Sequence, residues 1–339
     1  MRRTFLTVTT ALALALPGVA GAKTLTISWW GFNGDKLDQF IVKPFQEKCG
    51  CELVFETGNN ADRLNKVKIR DGKGVDVIYL TDSFSQIGVD EGLFQKIDPA
   101  KIPNLAGLHD IARDPQGGYG PAYTVGRIGI VYDGAKVQPI TSWGDLWRED
   151  LKASVSLPGI TTTAGPMVVV IAGEKAGTDA YADAGPAFEQ IAALKGNVVK
   201  NYNTGSEMIN LFSTGEVTVS LTQDFTLGRL RDAVPTIEWA QLVDGDIAVL
   251  NTVNIPKGAE NVDLAHEFIN FILDPALQKV LAENGVDAPV AKAVELSPEA
   301  AKGWTYGEAM INSLQRMDYA RMNAAKSAWV DRWNEIFGM

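Results

Sequence analysis

Three short stretches of this chain carry side chains able to hold a small charged molecule. Ser28-Trp29-Trp30-Gly31-Phe32-Asn33-Gly34 places three aromatic rings in four residues, directly after an apolar run. An aromatic face attracts an alkylammonium group by about 0.5–2 kcal/mol, depending on desolvation. Thr81-Asp82-Ser83-Phe84 offers a carboxylate able to pair with an amine, or else to cap the helix expected over Ser83–Val89. Thr161-Thr162-Thr163-Ala164-Gly165 ends an expected strand and opens an expected helix, so its hydroxyls and amides suit an anion. The alternative for that stretch is ordinary helix capping by Thr163.

Bond-breaking chemistry is poorly supported. The chain has no G-x-S-x-G elbow, no H-E-x-x-H, no phosphate-loop lysine motif and no G-x-G-x-x-G after a strand. Its two histidines leave little room for a histidine-based triad: His266 falls within an amphipathic helix and His109 in a loop. The two cysteines, Cys49 and Cys51, flank one glycine; a bridge between them closes a small, strained ring, and two free thiols are equally consistent with the spacing. Neither metal nor cofactor is expected, because no further cysteine exists and both histidines are distant in sequence.

The elements that must position these stretches follow from periodicity. Leu25–Trp29 alternates as a first strand, Asp35–Lys48 has helical spacing, Glu52–Thr57 is a second strand and Asn60–Lys68 a second helix. Val75–Leu80 is a compact apolar run, suited to a strand buried on both faces. This βαβαβ order predicts an α/β lobe with a mainly parallel sheet, whose ligand loops lie at the carboxyl ends of the strands. Trp30–Gly34 and Thr81–Phe84 are such loops. Trp29 follows Leu25 and Ile27 in the alternation and reads as packing, whereas Trp30 comes at the strand's end. After a crossing strand near Arg127–Tyr132, alternation resumes from Ser154 to Leu221, and Gly245–Ile255 leads back toward the first lobe. Asp263–Glu283 reads as a long helix broken at Asp274-Pro275, and Glu299–Phe337 as helical.

Met1-Arg2-Arg3, an apolar run and the small residues Gly18–Ala22 have the anatomy of a secretory signal peptide over 1–22, cleaved near Ala22. The expected location is therefore the periplasm. Without the leader's two arginines, 29 basic residues face 41 acidic ones, which argues against nucleic acid as a partner.

Several segments together resemble the periplasmic spermidine/putrescine-binding proteins of ABC importers. They are the run at Trp30, Gly92-Leu93-Phe94-Gln95-Lys96-Ile97-Asp98, Thr141-Ser142-Trp143-Gly144-Asp145-Leu146-Trp147, Asn254-Ile255-Pro256-Lys257-Gly258-Ala259 and the helix Ala265–Ala276. Their order and spacing hold across nearly the whole mature chain. The resemblance implies the two-lobed α/β periplasmic binding protein fold of type II, with a hinge of crossing strands and C-terminal helices. Lobe 1 would comprise 23–130 and 253–300, lobe 2 131–252, and the C-terminal helices 301–339. It further implies a monomer that binds a small-molecule ligand in the cleft and delivers it to an ABC permease in the inner membrane. By the family's pattern Trp30 is a cleft tryptophan, Asp82 and Ser83 lie in a cleft loop, and Asp224 falls where another cleft aromatic stands.

Departures from that pattern concern the ligand. Polyamine binders carry a tryptophan and an amine-gripping aspartate where this chain has Val249 and Asn251, and cleft tyrosines near Asn33 and Val286 are missing. Thr124-Val125-Gly126-Arg127 instead puts an arginine on the crossing strand. Its fork suits a carboxylate or phosphonate, unless it pairs structurally with Asp82 or Asp224. Asp224 in turn is either an amine grip or a helix cap. These changes favour a zwitterion: an amino acid, a γ-aminobutyrate-like compound, an opine or an aminophosphonate. The expected ligand set is Trp30, Asn33, Asp82, Ser83, Thr124, Arg127, Thr161, Thr162, Thr163, Asp224 and Asn251. A true polyamine is the alternative ligand; an exported enzyme and a chemoreceptor accessory protein are the alternative classes.

Overall fold

The structure is a computed structural model that describes residues 23–31 and 34–338. The expected signal peptide and the candidate Asn33, with its neighbour Phe32, lie outside the described residues. In chain order the strands are β1 (Thr24–Trp29), β2 (Glu52–Thr57), β3 (Val77–Thr81), β4 (Phe94–Gln95) and β5 (Ala122–Asp133). They continue with β6 (Val155–Pro158), β7 (Val198–Tyr202), β8 (Val219–Gln223), β9 (Ile237–Trp239) and β10 (Ile247–Pro256). Hydrogen bonds link them in the order β2-β1-β3-β10-β5-β8-β6-β7, with β4 on β10 and β9 on β5.

The sequence pattern explains the pairing. β1, β2 and β3 are parallel and joined by helices, as a βαβαβ run requires. Every residue of β3 is buried, matching its unbroken apolar run. β5 and β10 are the longest strands and pair antiparallel with each other. Each feeds two cores. Val125 and Leu250 pack with Leu25, Ile27, Phe45 and Phe268, while Ile128, Ile130, Ile247 and Val249 pack with Leu157, Val169, Phe188 and Trp333. The first core draws on residues between 25 and 125 and again between 248 and 314; the second draws on residues between 128 and 249 and again between 317 and 333. Two lobes therefore share a pair of crossing strands.

Three local expectations resolve. Cys49 and Cys51 are joined by a disulfide. The break at Asp274-Pro275 separates helices Val262–Ile272 and Pro275–Glu283, with Asp274 capping the amides of Ala276 and Leu277. The stretch expected to be helical over Glu299–Phe337 is three helices, Pro298–Ala301, Glu308–Ser313 and Tyr319–Phe337, with non-helical chain between them. Gly303 and Gly307 stand between the first two at φ +91°, a conformation that interrupts a right-handed helix.

Asp82 joins the lobes' moving parts at one buried point. It opens the helix Asp82–Asp90, and its carboxylate accepts the amide of Leu250 on β10 at 3.1 Å and that of Ser83 at 2.9 Å. The Tyr319 hydroxyl, from the C-terminal helix, lies against it, and Asn323 of that helix donates to the Ser83 carbonyl. Burial pushes the Asp82 carboxyl up to about 7, the hydrogen bonds opposing it. A folded-state value above the unfolded one means that the folded protein holds this proton more tightly. The contribution is thus present below about pH 4 and is lost as pH rises through about 7. Asp82→Asn should flatten the stability–pH curve in urea melts, with the variant gaining up to about 4 kcal/mol on the wild type between pH 4 and 8. A wild-type-to-variant difference independent of pH would contradict this.

Candidate functional site

Trp29 and Trp30 diverge as their places in the strand require. Trp29 is buried, stacked on Phe55 at 4.4 Å between centroids and edge-on to Tyr79 at 6.0 Å. Trp30 is half-buried and fixed on two sides: its indole N–H donates to the Tyr123 hydroxyl at 2.8 Å, and the Arg63 guanidinium lies 4.2 Å from its ring centroid. Arg63 is completely buried, on the helix Asn60–Ile69. It donates to the carbonyls of Ser28 and Gly58, at the carboxyl ends of β1 and β2, and of Tyr79 in the middle of β3. Burial lowers its pKa to about 10, which still leaves it cationic at neutral pH.

A cavity of about 410 Å³ lies above Trp30, between the lobes. Its floor is a cross-strand row: Asn251 of β10 is the register partner of Thr81 on β3 and of Thr124 on β5, and all three line the cavity. One step along, Val249 pairs with Gly126, and a Cβ at Gly126 would come within 2.9 Å of the Asp224 carboxylate. Glycine there lets Asp224 lie against the sheet. Asp224 also accepts the Thr305 hydroxyl at 2.5 Å. Asp287, the rings of Trp304 and the largely exposed Phe225, and one cation, Arg229, complete this end. Burial raises Asp287 to about 7 and Asp224 to about 6, the latter held back by Thr305 and the Arg127 charge.

The opposite end has a different chemistry. An adjoining cavity of about 540 Å³ shares Asn60, Thr163, Gln223 and Phe225 with the first and is lined by Thr161, Thr162 and Asn203, with no charged side chain on its wall. Three helices start here, at Asn60, Gly165 and Gly205. Asp62 and Glu207 sit in the first turns of two of them, but Gly165–Ala176 has no acid in its first turn, so its positive end is uncompensated. Thr162, rather than Thr163, caps that helix, accepting the Gly165 amide at 3.1 Å.

The structure brings Trp30, Thr124, Asn251, Asp224 and Thr161–Thr163 to this joined cleft, but not Asp82, Ser83 or Arg127. Asp82 and Ser83 are taken up by the inter-lobe contact described above. Arg127 lies three residues from Thr124 on an alternating strand, so its side chain leaves by the other face. There its guanidinium pairs with Asp246 at 3.0 Å and stacks 4.8 Å from Trp239, so its partner is neither Asp82 nor Asp224. Sequence reasoning missed Arg63, Tyr123, Asp287, Trp304 and Thr305. The missing tyrosine near Val286 was a signal for Asp287, the next residue.

A two-lobed α/β chain whose crossing strands floor a cleft with one charged and aromatic end and one uncharged end is built as a receptor for a small solute. Residues 41–308 match the family described as bacterial extracellular solute-binding protein, and the chain belongs to it. The family consists of solute receptors, not enzymes. The chain is 26% identical over 304 residues to the spermidine/putrescine-binding periplasmic protein of Escherichia coli, spanning 87% of this chain and 86% of the relative. It is 27% identical over 340 residues to the γ-aminobutyric acid-binding protein of Pseudomonas aeruginosa, spanning 96% and 92%. The crystal structure of an ABC transporter from Clostridium perfringens superposes with a TM-score of 0.87 at 40% identity, covering 92% of this chain and 99% of that one. The chain is a solute-binding protein of an ABC importer, with relatives among the spermidine/putrescine-binding and γ-aminobutyric acid-binding proteins.

Arg63→Met keeps the apolar stem but removes the donors to three carbonyls. In urea unfolding it should cost about 3 kcal/mol or more. A loss below about 1 kcal/mol would show that the strands hold without it.

Proposed function

We propose that this protein is the extracytoplasmic receptor of an ABC importer for a small zwitterion, an ω-amino acid or an aminophosphonate. One observation carries the reading: at one end of the cleft two carboxylates and several aromatic rings outnumber one guanidinium, that of Arg229, and the other end is uncharged and rich in hydroxyls. The ligand's amine meets Trp30, Asp224 and Asp287. Its acid group meets the Thr161 and Thr163 hydroxyls near the positive end of the helix Gly165–Ala176, whose first amides are already bonded or, at Pro166, lacking. Arg127 acts from behind the strand, its charge favouring the ionised form of Asp224 rather than touching the acid group. Bridging the lobes, the ligand stabilises the closed state by its higher affinity for it, and the permease reads that state. The export signal expected at 1–22 fits a periplasmic receptor.

Two carboxylates at one end favour a second reading, a diamine such as putrescine. A thermal-shift screen of ligand-stripped protein separates the two. γ-Aminobutyrate or 2-aminoethylphosphonate at about 100 times its dissociation constant should add about 2.7 kcal/mol of stability, with putrescine adding less. Stabilisation by putrescine alone would overturn the zwitterion. Thr163→Val should weaken the zwitterion by about 10-fold while leaving any residual putrescine binding unchanged, read by calorimetry. Equal loss for both would refute an acid-binding end at Thr163.

A further inference from the structure

Behind Trp30 lies a second, smaller space that the cleft alone does not explain. It is a chamber of about 60 Å³ sunk into the first lobe, walled by the apolar side chains of Trp29, Leu37, Ile41 and Leu281. Trp30, Tyr123, Val286 and Asp287 line both this chamber and the cleft, so they form the passage between them. Two polar groups in its wall are unsatisfied. The Tyr79 hydroxyl is 97% buried, its residue exposing only 3%, and has no hydrogen-bond partner among the described residues. The Asp287 carboxylate likewise makes no hydrogen bond among the described residues. Its charge is felt by both Tyr79 and Tyr123. An apolar pocket does not keep an unpaired carboxylate and an orphaned hydroxyl without cost. A group that donates several hydrogen bonds and carries one positive charge satisfies both.

We propose that this chamber anchors a primary ammonium group, the ligand's unbranched methylene-ammonium end passing beside the hydrogen-bonded Trp30–Tyr123 pair, along Val286, to reach Asp287 and the Tyr79 hydroxyl. The inference rests on the reading of the cleft as an amine site and adds which amine it takes. Burial holds both tyrosines well above their ordinary range, so they stay neutral and can accept from the ammonium. The Trp30 and Tyr123 rings, locked by their 2.8 Å hydrogen bond, narrow the passage and offer π faces to the cation. A space of this size accepts an ammonium with one or two methylenes and excludes a trimethylammonium, so the chamber selects for the degree of N-substitution. Asp224, outside the passage and already accepting from Thr305, is left for the mouth of the site.

The test uses calorimetry on ligand-stripped protein with γ-aminobutyrate, 2-aminoethylphosphonate and putrescine, and with the N-trimethyl form of whichever binds. The wild type should bind a primary amine and bind its N-trimethyl form at least about 100-fold more weakly. Asp287→Asn should lower affinity for the primary amine by about 100-fold. It is isosteric and removes a half-buried charge with no partner among the described residues, so its melting temperature should not fall. Tyr79→Phe should lower affinity by about 5-fold. Equal binding of primary and trimethylated amines overturns the chamber without any variant. So does unchanged binding in Asp287→Asn when Asp224→Asn loses it, a result that leaves the cleft reading intact. A wild type that binds none of the three amines refutes the cleft reading, and this inference with it.

Discussion

Arg63 is the interaction on which the site depends. A fully buried cation is costly unless its hydrogen-bonding capacity is met, and here three main-chain carbonyls meet it rather than a carboxylate. Those carbonyls belong to Ser28 and Gly58, where β1 and β2 release their loops, and to Tyr79 within β3. One side chain thus ties together the three strands from whose ends a parallel sheet presents its ligand contacts. The same guanidinium backs one face of Trp30, while Tyr123 holds the indole edge. What remains of Trp30 faces the cleft and its chamber, and no rotamer search is left for the ligand to limit.

The crossing strands extend this order from one lobe to the other. β5 and β10 carry Thr124 and Asn251 on the cleft face and Arg127 on the far face, so one strand pair supplies both the floor and a charge behind it. Gly126 leaves room for Asp224, and the turn after β8 that carries Asp224 is met by Thr305 from the C-terminal segment. The first lobe brings rings and Asp287; the second brings Asp224, Phe225 and the threonines. On the proposed function, closure joins these halves around one molecule, a hinge motion in which β5 and β10 flex while each core stays packed. Asp82, held by Leu250 and facing Tyr319, stands where such motion must act.

Much of the fold was legible because period and turn chemistry are local. The alternation Leu25, Ile27, Trp29 separated a packing tryptophan from the one at the strand's end, and the apolar run before Thr81 marked a strand buried on both faces. Arg127 was legible too, had its alternation been carried through: a side chain three positions from Thr124 cannot share its face. Other features are not written locally. Arg63 sits in a polar helix with nothing nearby to show that it is buried, and Asp287 reaches the cleft only because the chain after Glu283 turns back against Trp30 and Tyr123. Trp304 and Thr305 looked like part of a helical stretch until Gly303 and Gly307 broke it. A spacing rule predicts neighbours along the chain; Arg63 meets Ser28 across 35 positions and Thr305 meets Asp224 across 81.

The account stands on a cleft whose two ends bind opposite charges, with the amine end deepest. A crystal structure of the protein with its bound zwitterion measures this directly. The account predicts the ligand nitrogen within hydrogen-bond distance of Asp287, behind Trp30, and the acid oxygens on the Thr161 or Thr163 hydroxyls. A ligand lying the other way round, with its acid group beside Asp287, or one held by Arg127 on the far face of β5, would contradict it.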